Sequence, residues 1–143
     1  MTLDLQTART IIAAAQLHGA VHEFQPLTVV VLDGGGHVVA AERQDGSSMK
    51  RFEIAHGKAH GALSLGVGSR ALMQRAEAQA YFVAAVGTIV GALVPVPGGV
   101  LASNADGLLL GAVGISGDNS DNDEAAALAG IAAVGLAGDP GEE

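Results

Sequence analysis

The chain has 143 residues, which suits one domain, and 49% of them are hydrophobic, with a mean hydropathy of +0.38. Its formal charge of -8 would repel a nucleic-acid backbone and an anionic membrane surface, so neither is expected as a partner. The absence of cysteine excludes disulfides, thiol nucleophiles and thiolate metal sites.

The start of the chain and its uncharged middle bear on location and assembly. MTLDLQTAR lacks the basic beginning of a secretory signal, so we expect a cytoplasmic protein. The apolar run 80–94 falls short of the roughly 20 residues that span a membrane, and Pro95 and Pro97 follow it. We therefore expect a single domain over 1–143 with no membrane segment, and subunit contacts that bury the apolar surplus.

The first half of the chain predicts a helix and then a hairpin. Apolar residues recur at helical spacing over 3–18, and Gly19 is a usual residue just past a helix end. The runs LTVVVLD and HVVAAER flank a turn that begins at Asp33, which predicts two antiparallel strands. The triple glycine of this turn resembles a phosphate cradle, but such a loop leads into a helix and here a strand follows.

The second half predicts two more helices, three strands and a final helix. Ser47 or Ser48 can cap a helix to about Gly66, with Phe52 in its apolar stripe. The remaining predicted elements are a short helix from Ser69 towards Ala80, strands near 88–94, 98–103 and 108–115, a last helix capped by Ser120 or Asp121, and a frayed GDPGEE end.

Acids and amides alternate from Asp118, which invites a calcium interpretation. An EF-hand loop needs glycine at its sixth place and glutamate at its twelfth, and those places hold Asp123 and Ala129. Acids in the first turn of a helix, facing its dipole, explain the pattern instead. The whole order of elements predicts an α+β fold with an antiparallel sheet and helices packed on it.

The motif HGKAH on the second predicted helix is the first candidate site. Glu53, His56 and His60 fall at i, i+3 and i+7, so they line one edge of that helix. His56 and His60 are therefore candidate ligands of a divalent metal or of haem iron, with Asp33 as a further ligand or an orienting partner. The alternative is an edge whose polar groups simply contact water.

A second histidine pair, His18 and His22, follows the first helix. If Gly19 ends that helix between them, their spacing has no geometric meaning, and protonated His18 would interact with the helix C-terminus. An axial haem ligand from this region, His18, stays open as the alternative, because histidine is a usual ligand of haem iron.

Two cations complete the candidate residues. Lys58 lies among small and apolar residues, where its pKa would fall and it could act as a base, a Schiff-base amine or an anion anchor; the alternative is a side chain that extends to solvent. Arg43, at the end of the second strand, is a candidate partner for the carboxylate of a ligand, unless Asp45 neutralises it.

Four segments, in the same order and over roughly residues 3 to 137, carry a resemblance to a known family: VVVLDGGGHVVAAERQDG, EIAHGKAHGA, VPGGV and GLLLGAVGISGDNSDNDEAAALAG. The chain resembles the GlcG/HbpS family, also described as haem-degrading or haem-binding and related to the C-terminal domain of PduO-type proteins. It departs from the family where relatives often place Thr or Tyr-Thr after Lys-Ala, because here His60 follows Lys58-Ala59.

The resemblance implies a profilin-like sandwich with a five-stranded antiparallel sheet, assembled as a homo-oligomer, a tetramer or an octamer. It also implies binding of haem, a metal or a small organic ligand in a pocket lined by the second helix. The alternative is a catabolic enzyme, an isomerase, tautomerase or hydrolase, acting on an organic or aromatic-ring-cleavage acid. In that enzyme His56 or His60 is the base, Lys58 or Arg43 holds the acid, and Asp33 or Glu53 orients the imidazole.

Overall fold

A computed structural model describes residues 2–141 of the chain. In chain order the elements are α1 (Leu5–Val21), β1 (Thr28–Asp33), β2 (Val38–Arg43), α2 (Arg51–Leu65), α3 (Ser69–Ala78), α4 (Ala80–Val90), β3 (Gly99–Ser103), β4 (Leu109–Ser116), α5 (Ser120–Ala133) and β5 (Ala137–Asp139).

The strands form one five-stranded sheet in the order β2-β1-β4-β3-β5, and each neighbouring pair is antiparallel. The α+β class with a five-stranded antiparallel sheet is thus confirmed. Among residues 2–141, no helix is both long and apolar enough to cross a membrane.

Helices cover both faces of the sheet. In β1, Val29 and Val31 belong to the core formed with α1 and α5, whereas Val30 and Leu32 belong to the core formed with α2. This follows from the alternation of side chains along a strand. The near-continuous apolar run of β1 is therefore explained by burial on both faces.

A pair of glycines lets α2 lie very close to the sheet. Gly99 of β3 and Gly114 of β4 are directly opposite each other in the ladder. A Cβ on Gly99 would overlap the carbonyl of Lys58, and one on Gly114 would overlap the carbonyl of Ala55. Any larger residue at either place would push α2 away from the sheet.

Two predictions about strands were wrong. Residues 88–94 do not form a strand: α4 continues to Val90, and the segment after it belongs to no helix or strand. The fifth strand is instead β5, in the tail that was expected to fray, and it pairs with β3. The carbonyl of Pro140 accepts a hydrogen bond from the N–H of Arg70, which fixes the tail against α3.

Helix ends also differ from the predictions. Helix α1 runs past Gly19 to Val21, so Gly19 does not end the helix between His18 and His22, and the absence of a Cβ at Gly19 leaves room for the side chain of Leu27. No side chain caps α2: its cap position is Lys50, while Ser47 bonds to the hydroxyl of Thr28. These two ends were set by tertiary contacts that sequence patterns do not contain.

The last helix has a cap one residue earlier than predicted. Asn119, rather than Ser120 or Asp121, accepts a hydrogen bond from the N–H of Asn122. Asp123 lies in the first turn, as expected from the helix dipole, but the second acid of that turn is Asp121 and not Glu124.

Candidate functional site

The sides of α2 face different surroundings because of its helical period. Ala55 and Ala59 pack on the sheet, while Gly57 and Gly61 accommodate the return segment 92–94, which crosses α2 against them. Residues spaced by four along α2 lie on the edge of the helix between the sheet and solvent.

Phe52, His56 and His60 occupy this edge and form what we call the ring row. The rings of Phe52 and His56 are stacked with centroids 5.8 Å apart, and those of His56 and His60 with centroids 5.3 Å apart. All three are only partly buried, and Phe52 is 37% exposed. Phe52 was expected in the apolar stripe facing the core, and it instead extends the histidine edge.

His60 is held in one orientation by the backbone. Its Nδ1 lies 2.9 Å from the carbonyl oxygen of Ala92, so Nδ1 carries the proton and donates it. In the neutral form of this ring, the other nitrogen, Nε2, holds a lone pair. This is the arrangement that histidine ligands of metals usually show, with one nitrogen anchored and the other free to bind.

The turn between β1 and β2 forms a wall opposite His60. Gly36, with φ of 83°, approaches the Cδ2 edge of the imidazole, which adjoins Nε2. The resulting small cleft has a volume of about 160 Å³ and is lined by Gly34, Gly35, Gly36, His60, Leu63 and Ser64. The glycine turn therefore leaves room beside the anchored imidazole of His60.

Beside the ring row, β2 leaves an open face that we call the β2 shelf. Its residues lie opposite α2-facing partners in β1: Val38 opposite Leu32, Ala41 opposite Val30, and Arg43 opposite Thr28. Val38 is 48% exposed, and Ala41 and Arg43 are also exposed. The shelf is thus an apolar strip with a cation at the end remote from the turn, where Arg43 also donates to the carbonyl of Ser47.

Asp33 lies at the turn but does not orient an imidazole of α2. Its carboxylate accepts hydrogen bonds from the N–H groups of Gly35 and His37, and it lies 3.1 Å from the Nδ1 of His37. These bonds, that from the His37 N–H foremost, lower the pKa of Asp33. Asp33 therefore stabilises the turn between β1 and β2.

Lys58 is buried on the side of α2 away from the shelf. Its side chain is 2% exposed, and its Nζ donates to the carbonyl of Ile115 and to Oδ2 of Asp123, at 2.8 and 3.0 Å. Burial lowers the pKa of Lys58, and the carboxylate of Asp123 partly offsets this. The predicted apolar surroundings are present, but the ammonium joins α2 to α5 and does not reach the shelf.

The remaining candidates lie apart from the ring row. Glu53 is exposed, 3.8 Å from the Nζ of Lys50. His18 belongs to α1, on the opposite face of the sheet, where its ring lies 4.1 Å from that of His22 and 5.6 Å from that of Phe24. Partial burial, and then His22, lower the pKa of His18. Within one chain, His18 and His60 do not share a site.

The relative orientation of the His56 and His60 rings does not favour a divalent metal bound by both. An imidazole binds a metal ion in the plane of its ring. The two rings are stacked, with 27° between their planes, so their nitrogens do not converge on one point. Within the described range 2–141, no group of three or more His, Cys, Asp or Glu is placed to hold an ion. The arrangement suits one anchored imidazole better than a chelating pair.

Three solved structures share this fold over nearly the whole chain. That of a PduOC complex with haem has a TM-score of 0.85 and 24% identity, covering 95% of this chain and 97% of that one. The structure of HbpS has a TM-score of 0.79 and 26% identity, and the match covers 92% of this chain and 89% of that one. The structure of the Klebsiella pneumoniae protein ORFY has a TM-score of 0.81 and 21% identity, and the match covers 92% of this chain and 89% of that one. No curated protein sequence gives a significant match.

The sequence resemblance has independent support from a family model. The model described as "Haem degrading protein HbpS-like" matches residues 3–132, which include the ring row, the β2 shelf and the glycine turn. The chain belongs to the HbpS-like family.

Proposed function

We propose that this protein binds haem on the β2 shelf, with His60 as the ligand of the iron. The observation that carries the proposal is the anchoring of Nδ1 by the Ala92 carbonyl, which leaves Nε2 with a free lone pair beside the glycine turn. The haem complex of PduOC, a protein of the same fold, supports haem as the ligand class.

The residues present fit a haem lying on the surface rather than one enclosed in a cavity. At about 160 Å³, the cleft beside His60 is smaller than the roughly 300 Å³ at which small-molecule pockets begin. The shelf beyond it offers Val38 and Ala41 for the apolar macrocycle, and Arg43 for a propionate. Bound there, haem would supply the redox and ligand-binding chemistry of its iron.

His56 has a supporting part in this arrangement. Its ring is stacked between those of Phe52 and His60. Burial, and then the neighbouring His60, lower the pKa of His56, which favours an uncharged ring beside the ligand. A row of aromatic rings is a suitable edge for a flat apolar group.

The acid–base enzyme receives less support from the same geometry. Lys58 is buried in an ion pair with Asp123, Asp33 bonds to His37, and Glu53 lies near Lys50. None of these three contacts an α2 imidazole in the described hydrogen bonds and ion pairs. A proton-transfer site would therefore have to depend on His56 or His60 as the base and on Arg43, without a carboxylate that orients the imidazole.

We also propose that the protein is a homo-oligomer, with α4 in the interface. This helix is apolar along its whole length, yet only Val83 is buried. Tyr81 is 73% exposed and Ile89 is 82% exposed. An apolar surface of this kind is typical of subunit contacts.

A haemin titration followed by absorbance tests the haem site. We expect a Soret band in the wild type and weakening of binding by about tenfold or more in His60→Ala, since an iron ligand is lost. Loss of the cation in Arg43→Gln should weaken binding a few-fold. His37→Ala is the matched control, because that imidazole is 80% exposed and bonds only to its own turn.

The opposite pattern would contradict the proposal. A Soret band that survives in His60→Ala and disappears in His18→Ala would place the iron on the other face of the sheet. Circular dichroism of each variant shows whether the fold is retained.

A further inference from the structure

A second cleft lies away from the β2 shelf, where the end of α2 meets α3 and α4. Its volume is about 470 Å³, within the range of roughly 300 to 1,000 Å³ typical of small-molecule pockets. It shares no lining residue with the cleft at His60. The lining consists of Leu65, Val67, Ala71, Leu72, Gln74, Arg75, Ala78 and Phe82.

The floor of this α3–α4 cleft is aliphatic. Leu72 is 2% exposed and gives the floor its fixed position. Around it, Leu65 and Val67 come from the end of α2 and the loop after it, and Ala71 and Ala78 from α3. The alanines keep the space open, since longer side chains at their positions would occupy it.

One cation, Arg75, lies in this apolar lining and is held in place. Its guanidinium carbon lies 3.8 Å from the centroid of the Phe82 ring, and its Nε donates to Oε1 of Gln79 at 2.6 Å. The stack and the hydrogen bond together restrict the side chain before any ligand arrives.

Arg75 also lacks a counter-charge. Within residues 2–141 no carboxylate lies within ion-pair distance of it, whereas Arg70, on the same helix, pairs with Asp121 and Glu124. Glu77, two positions along α3, does not share its helical face. In a chain with a formal charge of -8, an oriented and unneutralised guanidinium at an apolar cleft is a local exception.

We propose that the α3–α4 cleft is a second ligand site, for a small aliphatic monocarboxylate. The hydrocarbon tail packs on Leu72 and its neighbours, and the carboxylate pairs with the guanidinium of Arg75. The guanidinium edge matches a carboxylate in shape and charge, and the site has no second cation for a dicarboxylate. This site is independent of the proposed haem site.

Calorimetric titration with octanoate tests this inference, with 1-octanol as the ligand that keeps the tail and lacks the charge. Octanoate should bind the wild type, and Arg75→Gln should weaken that binding by about tenfold, the effect of one charge-assisted pair. Octanol should bind more weakly than octanoate and should not respond to Arg75→Gln. Ala78→Phe, at an exposed position in the lining, should block both ligands.

The controls separate the two sites and the alternatives. Arg9→Gln removes an exposed cation from α1 and should leave octanoate binding unchanged. His60→Ala should also leave it unchanged, and Arg75→Gln should not alter the haemin titration. The proposal is overturned if octanoate does not bind the wild type, or if octanol binds it as tightly as octanoate does. It is also overturned if octanoate does not bind the wild type and Ala78→Phe loses subunit assembly. The last result would show that another copy of the chain covers the cleft.

Discussion

Lys58 and His60 are two residues apart on α2, and the helical period directs their side chains to different sides of the helix. The sequence predicted apolar surroundings and a lowered pKa for Lys58, and burial does lower its pKa. Its partner, Asp123, was assigned only to a helix start, because the approach of α5 to α2 is a tertiary event. Local spacing predicts which residues share a helix edge, but not what each edge will meet.

Removing the Lys58 ammonium should be costly. Lys58→Met leaves the carboxylate of Asp123 buried without its cation, so we expect a loss of about 3–5 kcal/mol in the free energy of unfolding. Urea unfolding at a fixed protein concentration measures it. The control Lys50→Met breaks a pair whose side chains are 68% and 57% exposed and should cost less than about 1 kcal/mol. Equal losses would show that the buried pair contributes no more than the exposed one.

The orientation of His60 is a residue-scale feature that the sequence could not supply. HGKAH places both imidazoles on one edge of a helix, but the anchor of His60 is the backbone carbonyl of Ala92. A carbonyl carries no residue-specific signal. Phe52, by contrast, could have been found, since it stands four positions before His56 and so continues the same edge.

At the scale of elements, α2 depends on the glycine pair beneath it. Gly114→Ala would place a methyl group against the Ala55 carbonyl, so we expect a loss of about 1–3 kcal/mol or more by overpacking. Gly87→Ala is the matched control, because nothing lies within 4 Å of its Cβ position in α4. It should be neutral or stabilising by up to about 1 kcal/mol. Thermal unfolding compares the two, and a harmless Gly114→Ala would mean that α2 can move away from the sheet without cost.

The hydrogen bonds of one loop carboxylate, that of Asp118, make the stability of the fold depend on pH. The Asp118 carboxylate accepts from the N–H groups of Gln25 and Asn119 and from the side chain of Asn122, and these bonds lower its pKa from 3.8. A lowered pKa in the folded state means that the stabilisation is present above 3.8 and lost as pH falls through the folded value.

We therefore expect Asp118→Asn to be less stable than the wild type near neutral pH, and the difference to shrink as the pH falls below 3.8. Urea midpoints over a pH series measure it. Asp106→Asn is the control, since its carboxylate accepts none of the hydrogen bonds in the described part of the chain. A gap between Asp118→Asn and the wild type that does not change with pH would contradict the assignment.

The two wrong strand predictions have physical causes at this scale. The run through Thr88, Ile89 and Val90 is rich in β-branched residues, but their helix penalty is below about 1 kcal/mol each. The alanine-rich start of α4 continues through them as helix. Strand β5 is only three residues long, with Ala and Gly in it, so its pairing depends on the free edge of β3 and not on its own propensity.

At the scale of the whole molecule, the order of most elements and the sheet type followed from periodicity and turn residues. The surplus of apolar residues was also visible, and part of it lies on α4, where Tyr81 and Ile89 are exposed. Which surfaces meet in an assembly could not be predicted, because an exposed apolar helix has no periodic signature that distinguishes it from a buried one.

The proposed subunit interface on α4 can be tested by introducing a charge. Ile89→Glu places a carboxylate on a side chain that is 82% exposed, so the single chain should fold but assemble less. Leu17→Glu, at a position 65% exposed on α1, is the control and should leave the mass unchanged. Light scattering measures the mass. If Ile89→Glu retains the mass of the wild type, α4 is not the interface.

The most direct measurement for the haem proposal is a crystal structure of the protein loaded with haemin. The arrangement described here predicts iron bound to Nε2 of His60, the macrocycle over Val38 and Ala41, and Nδ1 of His60 still bonded to Ala92. Iron bound to His18, or to neither histidine, would contradict it.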